Sequence, residues 1–141
     1  MKLRDNIQFT SDLPEGGVED ENDFLVYPAG PVTEAIREVL ITLGCQAEPV
    51  YSVEFKGWEF NFRYRGRPMW CRASIIDRYI AFFMDRAFWS KLMTGGKHPI
   101  YVELLTRLNE ALARDGRFQD VRWYALDEIE TEFEGLAGPV G

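Results

Sequence analysis

Between Val50 and Ile76 the apolar residues fall on every second position, the spacing of β-strands with one buried face. Tyr51, Val53 and Phe55 alternate with Ser52 and Glu54, and Lys56-Gly57 then reads as a tight turn. Trp58, Phe60, Phe62 and Tyr64 follow, alternating with Glu59, Asn61, Arg63 and Arg65 in the cleanest strand pattern of the chain. Arg65-Gly66-Arg67-Pro68 supplies the next turn, and Met69 to Ile76 a third strand with Cys71, Ala73 and Ile75 inward and Trp70, Arg72 and Ser74 outward. Tyr79 to Met84 is nearly all apolar, so alternation assigns it no face, and a central strand covered on both sides fits it.

On either side of this meander the period is helical. Gly30-Pro31 suits a helix start, Ile36, Val39, Leu40 and Leu43 recur on one face, and Gly44 is placed to end the helix. Pro99 opens a second helix in which Tyr101, Leu104, Leu105, Leu108 and Leu112 share a face, with Glu103, Arg107, Glu110 and Arg114 outward and Gly116 beyond its end. Phe118 to Tyr124 fits a short last strand or an extended strap. The expected fold is therefore α+β: an antiparallel meander of three to four strands, two helices packed on one face, a short C-terminal strand and acidic flexible ends. Residues 1–23, rich in Pro, Gly and acidic side chains, are expected to be a loose arm. Residues 24–126 are expected to form one domain, and residues 127–141 an acidic tail tethered only by Ile129, Phe133 and Leu136.

Charge changes this picture in one respect. The chain carries −7 overall, but Met1 to Asp23 holds two cations against seven anions and Asp127 to Gly141 five anions and no cation, which leaves the middle at +3. Five cations, Lys56, Arg63, Arg65, Arg67 and Arg72, lie among the aromatics of the meander. A chain of 141 residues can bury a self-sufficient core. Cys45 and Cys71 are read as reduced core thiols, since their spacing indicates neither a disulfide scaffold nor a metal site. The chain has no apolar run of signal-peptide or bilayer-spanning length, so the expectation is a cytoplasmic protein without a membrane partner.

The outward face of the meander is the candidate site: Glu54, Glu59, Asn61, Arg63, Arg65, Trp70, Arg72 and Ser74. Guanidinium groups beside an indole engage carboxylates in pairs or stack on rings, which suits an acidic protein surface or a nucleotide phosphate. The plainer reading is a solvated sheet face with cross-strand Glu/Arg pairs. Nucleic acid is disfavoured because Phe60, Phe62 and Tyr64 lie opposite Arg63 and Arg65 and because the ends are acidic. The acidic residues Glu19, Asp20, Glu21 and Asp23 at one end and Asp127, Glu128 and Glu130 at the other are either solubilising or fold over a basic surface, their own or a partner's.

Catalytic groups are few. The lone His98 follows Gly95-Gly96-Lys97, which lacks the spacing of a phosphate loop, and neither a cofactor nor a metal is expected. In class, though on no motif, the architecture resembles small acidic secretion chaperones and toxin-neutralising immunity proteins, both compact α+β binders without cofactors. The leading expectation is a protein-binding module: an immunity-type inhibitor that neutralises a toxin or effector, or a chaperone-like adaptor, anchored on Trp70, Arg63, Arg65 and Arg72. The alternative is a small-ligand or enzymatic domain with a pocket between the sheet and the 85–98 connection, which carries Phe88, Trp89, Gly95, Gly96, Lys97 and His98.

Overall fold

Among the described residues seven strands join into one antiparallel sheet, because the first residues of the chain and a short strand after the first helix add to the meander. The computed structural model describes residues 2–19, 24–87, 98–129 and 131–141. The strands are β1 (Asn6–Thr10), β4 (Gln46–Ala47), β5 (Tyr51–Val53), β6 (Gly57–Tyr64), β7 (Arg67–Ile76), β8 (Arg78–Asp85) and β9 (Gln119–Tyr124). Their spatial order is β4-β6-β7-β8-β1-β9, with β5 also on β6. A separate ribbon pairs β2 (Val18–Glu19) with β3 (Phe24–Val26). Helices α1 (Gly30–Thr42) and α2 (Pro99–Arg114) fall where the 3.6-residue period places them.

The expected loose arm of residues 1–23 is corrected at β1. This strand lies inside the sheet, hydrogen-bonded to β8 on one side and β9 on the other. Ile7 and Phe9 are fully buried, and Phe9 stacks on Tyr79 with its ring centroid 5.5 Å away and meets Phe118 edge-on at 5.2 Å. Placing β1 beside β8 explains the unbroken apolar run there, since Tyr79, Ile80, Ala81 and Phe83 are all buried.

The acidic tail is likewise held in place. Leu136 exchanges both backbone hydrogen bonds with Trp123, Arg4 N–H donates to Pro139 O at 2.8 Å, and Leu3 bridges Val140. Arg4 donates through Nε and Nη2 to the two Glu128 oxygens at 2.8 and 2.9 Å. Hydrogen bonding from Arg4 holds the Glu128 carboxyl down at about 2, below its ordinary 4.5. A carboxyl depressed in the folded state contributes stability above its unfolded value and loses it as the pH falls through the folded value. The urea midpoint of the native protein is therefore expected to drop between pH 4.5 and about 2, and Glu128→Gln to flatten that drop while lowering stability at neutral pH. Equal slopes for the two proteins in this window would refute the assignment.

Both helices cover one sheet face. Phe60, Phe62, Cys71, Ala73, Ala81, Phe83 and Trp123 meet Val32, Ile36 and Leu40 of α1 and Leu104, Leu105 and Leu108 of α2 in a single core. Cys45 and Cys71 are buried and unpaired, and burial raises both thiols, Cys45 to about 12. Neither is expected to react with Ellman's reagent at about pH 8 until the protein unfolds; rapid labelling of either in the native state would show the packing to be wrong.

Candidate functional site

The sheet face away from the helices is organised by register. Asn61 lies beside Trp70, and Trp70 beside Met84; in the next row run Tyr51, Glu59, Arg72, Phe82, Asn6 and Tyr124. Glu59 is the centre of this face and is itself buried. Its Oε1 accepts from Trp70 Nε1 at 2.9 Å and from the Tyr51 hydroxyl at 3.3 Å, and its Oε2 accepts from Arg72 Nε at 2.8 Å. Burial alone raises this carboxyl, but the hydrogen bonds from Trp70 and Arg72 outweigh it, and the group titrates below its ordinary value. The Arg72 guanidinium in turn lies 4.9 Å from the centre of the Trp70 ring. The indole is thus fixed by a hydrogen bond at its edge and a cation on its face.

Apolar surface adjoins this group. Met84 is 42% and Tyr51 43% exposed, whereas Trp70 and Phe82 are part-buried. At the far end of the face the tail covers the sheet: Phe133 meets Tyr124 edge-on, and a side chain at Gly135 (φ +78°) would lie 2.8 Å from the Tyr124 ring.

The alternation places Glu59, Asn61, Arg63, Trp70, Arg72 and Ser74 on this face as expected, and two expected members are elsewhere. Arg65 and Gly66 are the central residues of a two-residue hairpin, with φ of 53° and 76° and Tyr64 paired to Arg67, so Arg65 leaves the strand alternation. Its guanidinium lies over the Tyr64 ring and 3.5 Å from the Glu103 carboxylate, on the helix side. Glu54 falls in the turn between β5 and β6, which spans three residues because Val53 pairs with Gly57. That turn reverses the expected faces of β5: Tyr51 joins Glu59 on the open side, and Phe55 is 79% exposed at φ 63°. Gly57 is required here, since a Cβ at φ +115° would stand 2.3 Å from the Ala73 carbonyl oxygen.

Glu128 and Asp127 are near Arg4 and Lys2 of the chain's own N-terminal segment, so Glu128 is engaged internally. Glu19 belongs to the β2–β3 ribbon. Asp20, Glu21, Asp23 and Glu130 lie outside the described residues, as do Phe88, Trp89, Gly95, Gly96 and Lys97 of the connection. His98 caps α2, its Nδ1 accepting from the Ile100 N–H at 3.2 Å.

Tyr51, Phe82, Met84 and Arg86 were not picked out by alternation. The apolar run of β8 hides Phe82 and Met84, and Arg86 stands just past its end, where it donates to Asn61 Oδ1 at 2.9 Å. Arg86 and Arg63 flank an open cleft of about 540 Å³ whose lining also includes Gln46, Glu48, Asn61 and Pro68. Among the described residues no group of three or more His, Cys, Asp or Glu side chains converges as a metal site, and no helix is long and apolar enough to cross a membrane. No protein-family model, no curated protein and no solved structure matches the chain.

Proposed function

We propose that the protein is a protein-binding module that uses the open face of its sheet, acting in the cytoplasm as an immunity-type inhibitor of a toxin or effector, or as a chaperone-like adaptor. The observation that carries this reading is Trp70, held between Glu59 and Arg72 next to the exposed Met84. A large aromatic already fixed in one geometry loses little conformational freedom on association, and Trp and Arg are the residues enriched among interface hot spots. Glu59 bonded to Trp70, Tyr51 and Arg72 forms a rigid polar platform rather than a reacting pair, which supports binding over catalysis.

The test is capture of the tagged protein's partners from a lysate of its source organism at low and high salt, followed by mass spectrometry. A stoichiometric protein partner retained at low salt and released at high salt is the expected result. Retention of no protein at either salt would overturn the reading and favour a small ligand in the Arg63–Arg86 cleft.

A further inference from the structure

We propose that the cleft between Arg63 and Arg86 is the carboxylate-receiving pocket of this interface, taking one Asp or Glu side chain from an extended segment of the partner protein. The inference rests on the open-face reading and names the chemistry of the partner at its β6–β8 end.

Charge pairing singles the cleft out. Among the described residues nine cations lie in ion pairs with carboxylates, and Lys56, Arg63, Arg86, Arg107 and Arg114 do not. Two of those five line this one cleft. Each is anchored through a single side-chain bond: Arg63 Nη1 donates to Gly66 O at 2.9 Å, and Arg86 Nη1 to Asn61 Oδ1 at 2.9 Å. A guanidinium has five N–H donors, so most of each fork is left for a ligand, in the geometry that matches a carboxylate.

The lining also sets the size of the charge. Glu48 is the one acidic residue among those that line the cleft, which leaves two positive charges against one negative. That balance matches one carboxylate better than a doubly charged phosphate. A protein segment fits because the cleft opens beside the short edge strand β4 and continues through Asn61 directly to Trp70, so a chain lying along this edge reaches both.

The experiment titrates the full-length, isotope-labelled protein at low salt with the acetylated, amidated peptide Ala-Leu-Glu-Leu-Ala and with its Gln counterpart, following backbone amide shifts. The expected result is a saturable response at Gln46, Asn61, Arg63 and Arg86 to the Glu peptide only, weakened by about tenfold or more in Arg63→Gln/Arg86→Gln. The rest of the variant's spectrum, unchanged, would certify its fold. Equal responses to the two peptides, or an undiminished response in the double variant, would overturn the proposal. Sodium acetate or inorganic phosphate binding as tightly as the Glu peptide would also overturn it, by showing a site for free anions. Affinity for the captured partner that survives Trp70→Ala would sink the open-face reading separately, and the peptide result would stand apart from it.

Discussion

Phe9→Ala is expected to destabilise the protein by about 3–5 kcal/mol, the range for truncating a fully buried aromatic side chain. Phe9 has no solvent exposure, packs between Tyr79 and Phe118, and sits on a strand bonded on both sides. Its removal leaves a void walled by β8 and the residues before β9, which backbone hydrogen bonds prevent from collapsing. Chemical denaturation of the two proteins measures the difference directly. A loss below about 0.5 kcal/mol, the usual effect of a surface substitution, would return the first ten residues to a loose arm.

Trp70→Ala is expected to behave in the opposite way: the fold persists, while affinity for the protein partner falls by about 2 kcal/mol or more, close to thirtyfold. The indole is part-buried on the open face and contributes one hydrogen bond and one cation contact, both within the Glu59 group, so the core beneath it is not opened. Its loss removes the apolar anchor and frees Arg72 from the ring it lies on. Calorimetric titration of the partner into both proteins reads the affinity, and thermal unfolding of both reads the fold. A variant that binds normally would take Trp70 out of the interface; one that unfolds would make it a structural residue.

How much of this was legible in the sequence depended on the length and regularity of each element. β6 and β7 were legible because eight and ten residues of strict alternation leave one register that buries Phe60, Phe62, Cys71 and Ala73 together. The two helices were legible because their apolar faces recur over three turns or more. β1 was not, because Asn6–Thr10 shows only Ile7 and Phe9 as inward positions and stands in front of a long acidic, Pro- and Gly-containing stretch that dominates any compositional window. Its long-range pairing with β8 and β9 supplies the stability its local sequence lacks. The sheet grows from the expected four strands to seven through β1, the two-residue edge strand β4 and β9, which the sequence reads as a strand or an extended strap.

The site was legible wherever alternation held and misread wherever a turn reset it. Glu59, Asn61, Trp70 and Arg72 share a face because they are two residues apart on adjoining strands. Extending that alternation places Arg65 and Glu54 on the face, but both stand in turns, and a left-handed backbone at Arg65 sends its side chain to Glu103 instead. Arg86 gave no periodic signal, since it lies past the end of β8 and gains its role only from Arg63 and Asn61 across the sheet.

The claim that the open sheet face is a protein interface is tested most directly by hydroxyl-radical footprinting of the chain alone and in its captured complex. Trp70, Met84 and Tyr51 are oxidisable side chains on that face, while Phe133, on the tail that covers its far end, and Phe55, at the β5–β6 turn, are exposed away from Trp70. The account predicts that Trp70, Met84 and Tyr51 become protected in the complex and that Phe133 does not. Continued labelling of Trp70 and Met84 in a complex that protects another surface would contradict it.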